Sequence, residues 1–95
     1  MHRNRYLVAY DIRDPRRLYR VHKTVCGFGS RLQYSVFVCD LTAGELCDLR
    51  MQLSSVMRLS EDSAMFVPLG EGYDPSCFEF LGPRPTLPRG GSAII

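Results

Sequence analysis

The sequence predicts a small α+β sandwich in which two helices cover one face of an antiparallel sheet. Strand and helix signals follow in the order strand, helix, strand, helix, strand, strand, without an internal repeat. The length of 95 residues suits one domain. Because both helices lie on the same face of the sheet, the opposite face needs a cover. A second copy of the chain supplies it most simply, so we expect a two-fold homodimer.

The first strand is predicted from about Arg5 to Asp11. Its interior, Tyr6-Leu7-Val8-Ala9-Tyr10, is apolar throughout. A continuous apolar run of this length is typical of a central strand that is covered on at least one face. We therefore expect this segment in the interior of the sheet.

The first helix is predicted to begin soon after this strand. Asp14 suits the N-cap position, and Pro15 suits the first helical position, where a missing N–H is tolerated. Gly27 and Gly29 end the helix. Its apolar stripe comprises Leu18, Val21, Val25 and Phe28.

A second strand is predicted over residues 32–39, which are rich in β-branched and aromatic side chains. No glycine, proline or asparagine interrupts residues 31–41, so the residues themselves favour one continuous strand. Alternation would place four side chains on one face of it: Leu32, Tyr34, Val36 and Val38.

The second helix is predicted from a capping box, because Thr42 and Glu45 have the T-x-x-E spacing. Apolar side chains then recur at helical spacing, at Leu46, Leu49, Leu53 and Val56. A third strand is predicted at residues 64–67, and Pro68 near its end indicates a sheet edge or a strand terminus. Residues 77–81 predict a short fourth strand.

These elements form one predicted domain over residues 1–82. Residues 83–95 are rich in proline and glycine and predict an extended tail. The tail ends in Ala93-Ile94-Ile95, which is too short to fold alone. It either frays or adds a strand to the sheet of a partner chain.

Charge is unevenly distributed along the chain. Residues 1–31 contain eight basic side chains and two acids, a net charge of +6, whereas residues 32–82 have a net charge of −6. A basic region of this kind favours a polyanionic partner, because neutralising phosphates releases counterions. The basic side chains of residues 1–31 are Arg3, Arg5, Arg13, Arg16, Arg17, Arg20, Lys23 and Arg31.

Three arginines, Arg16, Arg17 and Arg20, lie at the start of the first helix, where free backbone N–H groups already carry partial positive charge. Acidic side chains are preferred at this end, so arginines there either attract an anion or simply point into water. Because Asp14 already caps the helix, the neighbouring Asp11 is free for another role. One carboxylate is a small set of protein ligands for Mg²⁺. A symmetric dimer would bring two copies of Asp11 together and supply a second carboxylate.

Two motifs resemble a known family. Tyr10-Asp11-Ile12 closes the first strand, and residues 31–37 carry the more specific pattern R-x-Q-Y-S-V-F. With the arginine-rich helix between them, residues 5 to about 81 resemble the small CRISPR-associated adaptation proteins of the Cas2 family. The resemblance implies a ferredoxin-like homodimer that acts with the CRISPR adaptation integrase in spacer acquisition. It also implies a hairpin before the second helix, so residues 31–41 remain open to one strand or two.

The resemblance further assigns roles to single residues. Asp11 aligns with the metal-binding and catalytic acid of the family, and Mg²⁺ is the implied metal, with Mn²⁺ as an alternative. Ser35 and Phe37 align with supporting residues. The candidate nucleic-acid-binding residues combine the family's arginines with the basic start of the first helix, and they are Arg13, Arg16, Arg17, Arg20 and Arg31.

Three functions remain open from the sequence. In a metal-dependent endonuclease, two Asp11 carboxylates would hold Mg²⁺, which would activate a water for cleavage of RNA or duplex DNA. In a non-catalytic scaffold, the arginines would hold duplex DNA by its phosphates while the integrase performs the chemistry. A module that binds single-stranded RNA would need an exposed aromatic platform, and Tyr34 and Phe37 do not form one in the predicted strand.

The expected location is the cytoplasm. No apolar run approaches the ~20 residues of a membrane span, and no charged-then-apolar leader is recognisable, so no membrane contact is expected.

Overall fold

The structure, a computed structural model, describes residues 2–71, 78–83 and 85. Its elements are β1 (Asn4–Asp11), α1 (Pro15–Cys26), β2 (Gly29–Gln33), β3 (Val36–Leu41), α2 (Ala43–Val56) and β4 (Ser63–Gly70). The four strands form one antiparallel sheet in the order β2-β3-β1-β4. Two helices and an antiparallel sheet make a ferredoxin-like α+β fold, as predicted. The observed order β-α-β-β-α-β differs from the predicted order of strand, helix, strand, helix, strand, strand.

β1 is an interior strand, which confirms the prediction from its apolar run. It pairs with β3 on one side and with β4 on the other. Val8, at its centre, lies opposite Phe37 of β3 and Phe66 of β4 and is completely buried. The strand therefore links the two halves of the sheet through the middle of the core.

The start of α1 is also confirmed. Asp14 is the N-cap, and its Oδ2 accepts hydrogen bonds of 3.0 Å from the backbone N–H groups of Arg16 and Arg17. Pro15 opens the helix and Gly27 follows its end. The predicted stripe packs on the core, with Val21 and Val25 fully buried and with Leu18 and Phe28 half-buried.

The hairpin that the resemblance implied before the second helix is present, and the single strand that the residues favoured over 32–39 is wrong. Tyr34 and Ser35 form a turn between β2 and β3, and Gly29, predicted to lie at the end of the helix, begins β2. The predicted common face is wrong as well, because Tyr34 is in the turn and 66% exposed. On β3 the residues that face the helices are Phe37, Cys39 and Leu41.

The capping box of α2 is present as predicted. Thr42 Oγ1 accepts from the backbone N–H of Glu45 at 3.1 Å, and Glu45 Oε1 accepts from the N–H of Thr42 at 2.9 Å. These reciprocal bonds satisfy two donors that the helix start would otherwise leave unpaired. Leu49 and Leu53 are the buried members of the predicted stripe.

β4 extends the predicted third strand in both directions and lies at an edge of the described sheet, as Pro68 indicated. The predicted fourth strand at residues 77–81 is not borne out where it can be judged, since residues 78–81 belong to no strand. Cys77 and most of the predicted tail, including Ala93-Ile94-Ile95, lie outside the described residues. Neither α1 nor α2 combines the length and the apolar character needed to cross a membrane.

The two faces of the sheet differ in their cover. Both helices pack on one face, around Val8, Tyr10 and Phe37. On the opposite face, here called the outer face, the strand registers align a second apolar set. Its members are Leu7, Ala9, Val36, Val38, Met65 and Val67.

Candidate nucleic-acid interface

Asp11 is the last residue of β1 and lies opposite Ser63, the first residue of β4. Its carboxylate is 66% exposed, and its Oδ2 lies 3.5 Å from Nη2 of the equally exposed Arg13. An exposed ion pair of this kind contributes little to stability. Because Asp14 provides the cap of α1, the Asp11 carboxylate is accessible to a ligand and is not required for that helix.

Arg16 and Arg20 lie one turn apart on α1 and are both exposed. They border a shallow depression together with Pro15 and Tyr19. Within the described residues, neither guanidinium takes part in an ion pair. Two unpaired arginines of this geometry can contact successive phosphates of a nucleic-acid backbone.

Arg17 differs from its neighbours because its side chain is only 15% exposed. Its Nε and Nη2 donate to the two carboxylate oxygens of Asp62, at 2.7 and 3.1 Å. Nη2 also donates to Glu61 Oε1 at 2.8 Å. Bidentate pairing of this kind holds the guanidinium in one geometry, so the candidate phosphate ligand Arg17 is already occupied by protein.

Asp62 connects the start of α1 with the end of the α2 region. Its side chain is fully buried, and besides Arg17 it accepts from the backbone N–H groups of Arg13 and Arg58, each at 2.9 Å. The Arg17 guanidinium holds the pKa of Asp62 well below its usual range, and the two N–H groups act in the same direction. Asp62 thereby fixes the backbone two residues after Asp11.

The sequence prediction did not include Asp62. A signal was present, because Glu61 and Asp62 stand next to each other directly before the predicted third strand, in a chain whose first helix begins with several arginines. Their separation from Arg17 by more than forty positions hides the pairing, since nothing local relates the two segments.

Arg31 lies on β2, on the helix side of the sheet, and is exposed. Its Nε donates to the carbonyl of Gln33 at 3.3 Å, and its guanidinium carbon is 5.1 Å from the ring centre of Tyr34. A cavity next to Arg31 shares Pro15 and Tyr19 with the depression at Arg16 and Arg20. The name arginine surface is used below for the exposed side chains of Arg13, Arg16, Arg20 and Arg31.

Ser35 and Phe37 both support the end of β1. The Ser35 carbonyl accepts a hydrogen bond of 3.1 Å from the N–H of Tyr10, next to Asp11. The Phe37 ring is completely buried and stacks on Tyr10, with ring centres 6.1 Å apart. Both residues therefore contact the strand that carries Asp11 and lie behind the exposed surface.

A metal site is incomplete in one copy of the chain. Among the described residues, no three His, Cys, Asp or Glu side chains lie close enough together to hold an ion. Asp11 offers an exposed carboxylate that no cap or buried pair uses. Mg²⁺ is commonly held by one or two carboxylates together with waters and substrate phosphates. The donor chemistry fits Mg²⁺ or Mn²⁺ if a second Asp11 or a phosphate is added.

Comparisons with known proteins identify relatives of the whole chain. The family profile described as "CRISPR associated protein Cas2" matches residues 4–76. A Synechocystis sp. protein named "CRISPR-associated endoribonuclease Cas2 3" is 36% identical over 90 residues, which cover 95% of this chain and 97% of that protein. A Halalkalibacterium halodurans protein named "CRISPR-associated endonuclease Cas2" is 30% identical over 86 residues, covering 85% and 88%.

Solved structures give the same result for the fold. The chain resembles the crystal structure of Streptococcus pyogenes Cas2 at pH 6.5, with a TM-score of 0.75 and 34% sequence identity. The likeness covers 82% of this chain and 99% of that one. The shared architecture therefore extends over nearly the complete length of the neighbour.

Proposed function

Because the chain belongs to the CRISPR-associated Cas2 family, we propose that it acts in CRISPR adaptation as a homodimer that binds duplex nucleic acid by its phosphates. The observation that carries this proposal is the arginine surface. Arg13, Arg16, Arg20 and Arg31 are all exposed and lie on or beside the first turns of α1. Their guanidinium groups supply the positive charge, because Asp14 already caps the N–H groups of Arg16 and Arg17. Contacts to phosphates fix a duplex in place without reading its bases.

The outer face supports the homodimer. It presents an apolar set on the side of the sheet that the helices do not cover. Val38 within this set is already buried in one chain, whereas Met65 is 55% exposed and available to a second copy. A two-fold axis at this face would bury the same side chains from both copies. Two arginine surfaces would then belong to one particle, so a single duplex could be held at two places.

The binding proposal is tested by removing Arg16 and Arg20. We expect Arg16→Ala with Arg20→Ala to weaken duplex binding and to reduce the slope of log K against log salt by about 0.9 for each phosphate that is no longer neutralised. Titrations at several salt concentrations with a labelled duplex measure both effects. Arg17 stays unchanged in this design because it holds Asp62.

The matched control is Arg50→Ala with Arg58→Ala, which removes the same charge from exposed positions outside the arginine surface. It should leave the salt slope close to that of the wild type. An equal weakening in both double variants would mean that net charge alone governs binding, and the proposed surface would be wrong.

Metal-dependent cleavage of RNA or duplex DNA is a second candidate function. It is favoured by the exposed Asp11 at the end of β1, and relatives of the chain carry the names endoribonuclease and endonuclease. Two Asp11 carboxylates of a dimer would hold Mg²⁺, with Mn²⁺ as an alternative. The ion would neutralise charge on the phosphate under attack. Arg16 and Arg20 would orient the strand beside it.

Asp11→Ala separates the nuclease from a scaffold that serves the CRISPR adaptation integrase. If the chain is a nuclease, cleavage in Mg²⁺ should be lost in this variant and retained in Asp48→Ala, which removes an exposed acid of α2. If it is a scaffold, wild type and both variants should bind the duplex equally and leave it intact. Cleavage that survives Asp11→Ala would refute the role of Asp11.

A further inference from the structure

A cavity of about 290 Å³ opens between α1 and the hairpin of β2 and β3. Three tyrosines line it, Tyr10, Tyr19 and Tyr34, together with His22 and Arg31. It is called the tyrosine pocket below. Its volume is at the lower end of the range for small-molecule sites, which suits a single flat ring system.

Two of the tyrosines are unusually exposed for large aromatic side chains. Tyr19 is 63% exposed and Tyr34 is 66% exposed. Each ring is accompanied by a cation, with Lys23 Nζ 5.6 Å from the Tyr19 centroid and the Arg31 guanidinium carbon 5.1 Å from that of Tyr34. Exposed aromatic rings beside cations are the combination with which proteins hold unpaired nucleotides, because every base can stack and every phosphate is anionic.

Tyr10 and His22 place a polar pair inside the otherwise largely apolar pocket. Tyr10 Oη lies 3.2 Å from Nδ1 of His22, and Tyr10 is 6% exposed. Burial raises the pKa of Tyr10 to about 12, so the phenol keeps its proton at neutral pH. None of the residues lining the pocket is acidic. No negative side chain in the pocket therefore repels an anionic ligand. The hydroxyl of Tyr10 and the ring of His22 can contact the edge of a base.

We propose that the tyrosine pocket binds the base of one unpaired nucleotide at the end of a nucleic-acid strand, by stacking on Tyr19 and Tyr34 with Arg31 at its phosphate. The inference rests on the proposed function. Pro15 and Tyr19 border both this pocket and the depression at Arg16 and Arg20. A strand held at the arginine surface can therefore continue into the pocket where its pairing ends.

The test compares a blunt duplex with the same duplex carrying one unpaired nucleotide at each end. We expect the full-length wild type to bind the second duplex about tenfold more tightly, in line with the contribution of one stacked base. Tyr19→Ala with Tyr34→Ala should remove this preference, so that the variant binds the two duplexes with equal affinity. Tyr19→Phe with Tyr34→Phe should retain it, since stacking needs no hydroxyl. Fluorescence anisotropy at one fixed salt concentration measures each variant with each duplex.

Three results would overturn the proposal. They are equal affinity of the wild type for both duplexes, a preference that persists in the double alanine variant, and competition by free adenosine monophosphate as effective as that by the strand end. Salt-dependent binding of the blunt duplex, measured by titrations of the same proteins, reports on the arginine surface alone. Failure of the tyrosine pocket is therefore distinguishable from failure of the proposed function.

Discussion

At the scale of single residues, the structure sorts arginines that look alike in the sequence. Arg17 and Arg20 are three positions apart in the same basic stretch, yet Arg17 is held by Asp62 and Arg20 is exposed. The structure leaves Asp11 exposed, and the role that the sequence assigned to it stays a prediction. The sequence could not predict which of these arginines is paired, because the carboxylate of Asp62 lies far along the chain and reaches Arg17 only in the folded state.

The Asp62 carboxylate should make stability depend on pH. Its pKa is lower in the folded state than the ordinary value of 3.8, so its contribution is fully present above that value and is lost as the pH falls below it. We expect Asp62→Asn to be less stable than the wild type at pH 7 and the difference to shrink at pH 3. Urea unfolding at the two pH values measures the free energies of unfolding.

Glu61→Gln is the control for this experiment. Glu61 also contacts Arg17, but its side chain is 46% exposed, so its pairing is screened by water. Its substitution should destabilise the protein less than Asp62→Asn at pH 7. A difference between Asp62→Asn and the wild type that is constant from pH 7 to pH 3 would contradict the role of the charged carboxylate.

At the scale of elements, local signals predicted the helices but not the hairpin, which only the family resemblance implied. Asp14 and the pair Thr42–Glu45 act within a few residues, so their patterns can be recognised locally. The turn at Tyr34 and Ser35 lacks such a pattern. No described residue other than glycine has a positive φ, so this turn does not require the glycine or asparagine that usually marks a short hairpin. A register shift between Arg31 and Gln33 also interrupts the alternation that a single strand would follow.

Gly29 at the start of β2 is required by close packing. A Cβ atom there would meet the Cys39 sulfur and the Val38 carbonyl oxygen of the paired strand β3. We expect Gly29→Ala to lower the free energy of unfolding by about 1–3 kcal/mol, the usual effect of overpacking. Denaturant titration of the purified variant measures the decrease.

Gly44 in the first turn of α2 provides the matched comparison. A Cβ atom there meets only Thr42 Oγ1, at 3.9 Å, which is ordinary contact. Gly44→Ala should therefore stabilise the protein by roughly 0.4–1 kcal/mol. Equal effects of the two substitutions would show that the contact at Gly29 is relieved by a shift of β3.

At the scale of the whole molecule, the uneven charge of the sequence leads to ion pairs between the two parts of the chain. Acids from the second part of the chain pair with arginines of the first: Arg3 with Glu45, Arg5 with Asp40, and Arg17 with Asp62. These pairs join separate elements and neutralise arginines that are half-buried or buried. In the arginine surface, Arg16, Arg20 and Arg31 form no ion pair among the described residues, and Arg13 pairs with the exposed Asp11.

The oligomeric state is the prediction that belongs to this scale. We expect the wild type to have twice the 10.8 kDa mass of one chain in solution. Met65→Lys would place two unpaired charges in the interface at the outer face and should weaken the dimer by at least roughly tenfold, or 1.4 kcal/mol. Light scattering during size-exclusion chromatography over a range of concentrations measures the shift toward a single chain.

Met51→Lys is the control, because Met51 is 66% exposed on α2, on the opposite side of the sheet. It should leave the dimer intact. Dissociation caused equally by both substitutions would indicate a different interface, and a wild type with the mass of one chain would remove the dimer from the proposed function.

Pro68 has a consequence for aggregation. β4 lies at an edge of the sheet that the described residues form, and an edge with free N–H and C=O groups can pair with strands of further molecules. Proline has no N–H to donate, and β4 ends two residues later at Gly70, which has a φ of 80°. A continuous ladder along this edge is therefore confined to the five residues of β4 before Pro68. The edge can accept one short strand from a neighbour, but it is a poor template for a fibre.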